Sequence, residues 1–260
     1  MEIVNVIKVG GNVIDNASKL EKFLGYFSQL KGAKILVHGG GKIATKMAKD
    51  LGVETQMVDG RRITDAAMRD IVTMVYGGLI NKQIVAKLQS FNCDAIGLTG
   101  ADGGVILAHK RPVKTVDYGY VGDVEKVNAD LITTLLQQGV SAIFAPLTYD
   151  KEGNILNTNA DTQASEIAKA LTQNFQVNLI YCFEKKGVLL DAEDDSTVIP
   201  VINPELYTAY KSQGVIYAGM IPKLDNAFAA VEAGVKKVII CEADDILSAV
   251  GNGAGTTIQL

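Results

Sequence analysis

Lys8 interrupts an otherwise apolar, β-branched run, IVNVIKV (residues 3–9), and is followed at once by Gly10 and Gly11. A lysine in such a run is rarely buried without a partner. It either snorkels to the end of a strand or is aimed at an anion beside the two glycines. A second cluster, Gly39-Gly40-Gly41, closes the run KILVH and opens a helical segment. Glycine lets the backbone approach a ligand and turn its N–H groups toward it, and a helix N-terminus favours an anion. Tight strand–helix turns are the alternative for either cluster. Two of them, on neighbouring strands, would open on the carboxyl edge of one sheet, where α/β folds bind ligands. Neither is a Walker loop or a G-x-G-x-x-G fingerprint.

Three further clusters complete the inventory. In GMIPK (219–223), Lys223 falls in the first turn of a predicted helix, where a cation opposes the macrodipole unless an anion lies between. In NTNAD (157–161), Asn159 or Asp161 is either a helix cap or, for Asp161, the counter-ion of two lysines sharing a site. In DGRRIT (59–64), Arg62 stands beside Arg61 in a polar turn, either solvated or serving as a bidentate carboxylate clamp. His38 and His109 are the only histidines. They suggest no zinc site and no Ser–His–Asp constellation, and a packing or hydrogen-bonding role suits His38.

These groups must be held by a scaffold. The 260 residues are 48% apolar and 21% charged with a net charge of −4, which excludes a disordered chain and argues against binding nucleic acid by phosphate neutralisation. Cys93, Cys182 and Cys241 form no Cys-x-x-Cys pair and read as buried, reduced thiols of a cytoplasmic protein. Neither a secretory leader nor an apolar run of membrane-spanning length is visible.

Hydrophobic periodicity predicts strands at 3–9 and 33–37, helices at 16–29, 42–51 and 65–90, a strand at 94–98, and a β-hairpin excursion over 99–127. A helix at 128–138, a strand at 141–147 and an Ala-rich helix at 160–174 follow. The pattern restarts with a strand at 177–182, an extended piece at 187–191, a helix opened by Asn203-Pro204, a helix at 219–234, a strand at 236–241, a helix at 244–250 and a last strand at 254–260. This predicts an α/β fold, a three-layer α/β/α sandwich around a mostly parallel central sheet. Two lobes, 1–172 and 173–260, would share that sheet.

Taken together, IKVGG (7–11), VHGGGK (37–42), DGRRIT, NTNAD and GMIPK resemble the amino-acid kinase family over nearly the whole chain. Their order and spacing are most similar to the members that phosphorylate N-acetylglutamate in arginine biosynthesis. The resemblance implies ATP and Mg²⁺ as cofactors, with Mg²⁺ carried on the ATP phosphates. It implies catalytic roles for Lys8, Lys223 and Asp161, the lysines stabilising the transferring phosphoryl group and Asp161 orienting both. Gly40, Gly41, Arg62 and Asn157 would bind the acylated amino acid, Arg62 through its carboxylate. Gly10 and Gly11 would contact phosphate. Glu184, Lys185, Lys186, Gly187, Val215, Ile216 and Tyr217 would line the nucleotide.

The chain departs from the family in two places. An apolar residue is usual where Arg61 stands, and an Asp followed by small residues is usual where FEKKG (183–187) stands. Arg61 motivates a second expectation: an acyl group with its own carboxylate, as in N-succinyl-L-glutamate. Kinases of the family acting on glutamate, aspartate or carbamate, and a non-enzymatic nucleotide-binding member, are the rivals. The short segment before the first strand suggests a homodimer without arginine inhibition. The N-lobe would hold the acyl-amino acid and the dimer contact, and the C-lobe ATP.

Overall fold

The computed structural model describes residues 1–58, 60–217, 220–251 and 253–260. In chain order the elements run β1 (Ile3–Val9), α1 (Gly11–Ile14), α2 (Ala17–Gln29), β2 (Ala33–His38), α3 (Gly41–Asp50), β3 (Met57–Val58), β4 (Arg61–Arg62), α4 (Ala66–Val72), a π-helical stretch (Thr73–Ile80), α5 (Asn81–Ser90), β5 (Ala95–Leu98), β6 (Ile106–Lys110), β7 (Gly122–Val127), α6 (Ala129–Gln137), β8 (Ser141–Phe144), β9 (Leu147–Tyr149), β10 (Ile155–Asn157) and α7 (Ala160–Leu171). They continue with β11 (Gln176–Phe183), β12 (Val201–Ile202), α8 (Pro204–Ser212), α9 (Met220–Glu232), β13 (Lys237–Glu242), α10 (Ile246–Val250) and β14 (Thr256–Ile258).

Eight strands form one sheet in the order β12-β14-β13-β11-β1-β2-β8-β5. Only β13 and β14 pair antiparallel within it. The two halves meet where β1 runs parallel to β11, Lys8 opposite Tyr181. The expected mostly parallel central sheet is therefore present, with strands from the first and last parts of the chain. Helices cover both faces because the central strands are apolar on both. Val4 and Val6 of β1 pack with Ala164, Ile167 and Ala168 of α7 and Leu224 and Ala227 of α9. Ile7 and Val9, of the opposite parity, pack with Phe23 and Phe27 of α2 and with Ala44 of α3.

This parity places the site. Side chains alternate across a strand, so Lys8 shares the face of Val4 and Val6, beneath α7 and α9. On β11, Val177, Leu179 and Tyr181 belong to that same core layer, with Phe183 packed against it. Lys8 and Phe183 thus emerge on one face at the carboxyl ends of the two central strands.

A four-stranded sheet, β10-β9-β6-β7, lies beside the main one, with β6 and β7 antiparallel as the hairpin expectation required. The single strand expected at 141–147 is instead two, β8 and β9, each in a different sheet, separated by Ala145 and Pro146. The 187–191 piece joins no sheet and makes one bridge, Leu189 to Val198. The 65–90 helix is continuous, but its middle turns are π-helical, a geometry that often accompanies functional sites. Asp65 caps its start by accepting from the Met68 N–H at 2.8 Å. Asn203 does the same for α8, accepting from Leu206 N–H at 2.9 Å. The Gly219 that opens the GMIPK motif and the Asp59 that opens DGRRIT lie outside the described residues.

Candidate active site

Asn159, not Asp161, caps α7: its side chain accepts from the Thr162 N–H at 3.0 Å. That leaves the Asp161 carboxylate, in the first turn, for another partner. Lys8 Nζ lies 2.8 Å from Asp161 Oδ1, and Lys8 is buried. A buried lysine needs such a counter-ion, because desolvation of an unpaired charge is prohibitive.

Lys223 reaches the same place from the first turn of α9. Its Nζ sits 3.8 Å from the centre of the Phe183 ring, and Lys8 Nζ lies 5.0 Å from it. Both ammonium groups therefore lie close to one aromatic ring, which attracts cations through its quadrupole. Burial lowers the Lys223 pKa; Asp161 and Glu184 oppose that and Lys8 adds to it. Two like charges are thus held together by a carboxylate and a ring.

The glycine turns close around this cluster. The Gly10 N–H donates to Cys182 O at 3.1 Å, and a Cβ on Gly39 would stand 3.4 Å from the Gly11 nitrogen. The two turns are in contact, as adjacent strands β1 and β2 require. Gly40 has φ +149°, and a Cβ there would collide with Ile80, so the position demands glycine. His38 fixes the turn from behind: Nδ1 lies 2.8 Å from Gly39 O and Nε2 3.3 Å from Asn81 Nδ2. It is fully buried, which drives its pKa down to about 4. A neutral hydrogen-bonding imidazole, as the sequence suggested, is what burial leaves.

Arg62 is not in a solvated turn. It lies on β4, paired antiparallel with β3, and is buried. Its Nη2 donates to Gly41 O and to Thr45 Oγ1, both at 2.8 Å, and its Nη1 to Thr55 Oγ1 at 3.3 Å. Asn157 Nδ2 donates to Thr64 Oγ1 at 3.0 Å, tying β10 to the end of this hairpin. Gly40, Gly41, Arg62 and Asn157 line one cavity of about 210 Å³, with Tyr76 of the π-helical stretch.

Lys8, Gly10, Gly11, Asp161, Glu184 and Lys223 line a second cavity of about 320 Å³, together with Lys185 and Gly187. Val215, Tyr217, Lys185 and Gly187 border a third, of about 330 Å³, which also reaches Lys223. Two candidates fall outside this arrangement. The Ile216 side chain is buried in the core layer beneath α9 rather than along a cavity. Lys186 is exposed and borders none of the three cavities. Lys185 is exposed and bonds Ala192 O at 3.1 Å and Asp195 Oδ1 at 3.3 Å.

The structure adds residues the sequence reading missed. Phe183 was legible from strand parity alone, being two residues beyond Tyr181 on the Lys8 face. Asp15 has a buried carboxylate beside Gly11, its pKa raised by burial and lowered in part by Lys42, whose Nζ is 3.9 Å away. Arg111, from the end of β6, lines the Arg62 cavity and carried no local signal. The three cysteines are buried and free, and Cys182 and Cys241, distant in sequence, come to 4.0 Å on paired strands.

Chemically, the arrangement sets a buried arginine in one cavity beside a second cavity lined by three lysines and two carboxylates, without a histidine in either lining. Residues 4–242 match the amino acid kinase family. The chain is 60% identical over 251 residues to the acetylglutamate kinase of Cytophaga hutchinsonii, covering 96% of this chain and 95% of that one. It is 56% identical over 258 residues to the acetylglutamate kinase of Phocaeicola vulgatus, covering 99% of each. Among solved structures, smu.665 from Streptococcus mutans UA159 superposes with a TM-score of 0.77 at 30% identity, covering 99% of this chain and 98% of that one.

Proposed function

This chain belongs to the amino acid kinase family, and we propose that it transfers the γ-phosphoryl group of ATP to the γ-carboxylate of N-acetyl-L-glutamate, a reading supported by relatives named acetylglutamate kinase. The products are an acyl phosphate and ADP, and the reaction belongs to arginine biosynthesis. The observation that carries the assignment of residues is the Lys8–Asp161 pair with Lys223 on the same ring.

A glutamate side-chain carboxylate, with an ordinary pKa near 4.3, is ionised at neutral pH. Its oxygen attacks the γ-phosphorus, the bond from that phosphorus to the β-bridging oxygen breaks, and no proton moves. No general base is required, so two structural or peripheral histidines suffice. The protein must position two anions in line and offset the charge they bring.

Lys8 and Lys223 take the equatorial charge of the transferring group. Asp161 keeps Lys8 in register, and its field favours the charged form of Lys223. Gly10 and Gly11 offer close backbone approach beside them. Arg62 binds the α-carboxylate, Gly41 and Thr45 holding its guanidinium plane, and Asn157 contacts the acylamino group. Mg²⁺ bound to the ATP phosphates would supply charge neutralisation there. The lining suits that load, since Lys8, Lys185 and Lys223 outnumber Asp161 and Glu184 beside the Gly10-Gly11 turn.

The nucleotide lies along Glu184, Lys185, Gly187, Val215 and Tyr217, and residues 173–260 act as the ATP lobe. Residues 1–172 hold the acyl-amino acid and join two chains as a homodimer. Exposed Met74 and Leu79 before α5, and Ile96 on the sheet's edge strand β5, support that placement. The free, buried thiols fit a cytoplasmic location.

The test is ADP release from Mg-ATP on adding N-acetyl-L-glutamate, with the acyl phosphate trapped as a hydroxamate. Stoichiometric hydroxamate and ADP support the assignment. ADP release without hydroxamate, or none with any acylglutamate, overturns it. Sedimentation of a monomer or a stable hexamer would overturn the dimer.

A further inference from the structure

Asn12 directly follows the Gly10-Gly11 turn and lines the same cavity as Lys8, Gly11 and Lys223. It is half-buried there. Its Oδ1 accepts from Lys42 Nζ, which reaches across from the first turn of α3. A lysine ammonium only donates, so the amide oxygen must face Lys42 and the NH₂ group must point away from it. A cationic partner thus fixes which way round the amide lies. Nδ2 then meets no acceptor among the described residues, and it is not one of their closed-off polar atoms.

Lys42 lines neither this cavity nor the one around Arg62. Its Nζ also stands 3.9 Å from the Asp15 carboxylate, whose oxygens have no hydrogen-bond partner among the described residues. The lysine is therefore drawn toward α1 by two acceptors and meets the cavity only through Asn12. Other cations of the lining are already engaged, Lys8 on Asp161 and Lys185 on Ala192 O and Asp195. Asn12 adds a neutral donor with nothing to donate to, beside groups that gather negative charge. A hydrogen bond to an ionised oxygen is the stronger kind such a donor can make.

We propose that Asn12 is a further ligand of the ATP triphosphate, its Nδ2 donating to a phosphate oxygen, and that Lys42 is a positioning residue that holds the amide in the donating orientation. The inference rests on the kinase reading above and adds a donor to its nucleotide half. The competing role is a tether: Asn12 Oδ1 and Lys42 would only tie α1 to α3 and keep the two glycine turns in register. The two roles use opposite ends of one amide, so replacing one atom separates them.

The experiment measures equilibrium binding of Mg-ATP and of adenosine, with KM for ATP and for the acylglutamate. Asn12→Ala should weaken Mg-ATP binding and raise KM for ATP about tenfold or more, the scale of a hydrogen bond to a charged acceptor. Asn12→Asp keeps the oxygen that Lys42 needs and turns the donor into a second acceptor, so it should bind Mg-ATP more weakly still. Adenosine binding and KM for the acid should change little in both. Lys42→Met should give a smaller loss in the same direction, Lys42→Arg should restore it, and Lys42→Met should add nothing in the Asn12→Ala background. Asn12→Asp binding Mg-ATP as the native protein does overturns the proposal and leaves the tether. So does Asn12→Ala within about twofold of native, or an equal loss for adenosine. Additive losses at Asn12 and Lys42 overturn the positioning role of Lys42. A native protein that binds neither Mg-ATP nor adenosine would overturn the kinase reading, and this inference with it.

Discussion

The two halves of the proposed site, one for the acid and one for the nucleotide, are built differently. On the proposed acid side, Arg62 is buried and its guanidinium is held in place by bonds to Gly41 O, Thr45 and Thr55. Gly40 is locked against Ile80 and Tyr76, and His38 braces Gly39 from the core. On the nucleotide side, Lys223 is half-buried on an aromatic face, Tyr217 is exposed, and Lys185 is held only by exposed contacts. The first half is pre-organised, which lowers the ordering cost of binding and supports discrimination. The second supplies charge to a ligand that brings much of its own recognition. Discrimination between acids should therefore fail through the first half and turnover through the second.

The strongest test of that division is Lys8→Ala. It removes a transition-state cation and leaves Asp161 unpaired, so kcat should fall by about 10²–10³-fold, the usual scale for losing one aimed donor. KM for the acid should change much less. A kcat within twofold of native would break the assignment of Lys8.

Arg62→Ala should act on the other half. A hydrogen bond to a charged group is worth about 1.5–3 kcal/mol, so KM for the acylglutamate should rise roughly 10–150-fold with KM for ATP little changed. Arg62→Lys should recover little, because a point charge cannot reproduce the planar donors shared among Gly41, Thr45 and Thr55. Equal changes in both Michaelis constants would show that the halves are coupled rather than separable.

Phe183→Leu is a smaller, sharper probe. It keeps an apolar side chain on the Lys8 face but removes the ring to which both ammonium groups lie close. A cation–π contact is worth about 0.5–2 kcal/mol, so kcat should fall about twofold to thirtyfold. An unchanged kcat would reduce Phe183 to packing.

How much of this was legible depended on range. Lys8 stood out locally, as a cation in an apolar strand, and the central strands and their covering helices followed from periodicity. Asp161 could not be separated from Asn159 until the cap was seen, since both are good caps three residues or fewer from the helix start. Arg62 could not be separated from a solvated arginine by pattern alone, because β3 and β4 are two residues each, too short for any alternation to register. Phe183 was recoverable by carrying strand parity to the end of β11. Arg111 was not recoverable, because its place beside Arg62 is set by a hairpin crossing from a different sheet.

The smallest expected effect is a pH dependence in the nucleotide half. Burial holds the Lys223 pKa below the ordinary 10.5. As pH rises through that lowered value, Lys223 loses its proton and the phosphoryl site loses a cation, so kcat should decline on the alkaline side before an ordinary lysine would titrate. Stability should respond in the opposite sense. Between the lowered value and 10.5 the unfolded chain binds more protons at this position than the folded one, so this residue's contribution to stability rises with pH there. Lys223→Arg stays charged throughout and should carry the normalised kcat profile further into alkali, while flattening that rise in denaturant midpoint. Superposed kcat profiles for the two proteins would assign the alkaline limb to another group and remove Lys223 as the charge that the nucleotide half contributes.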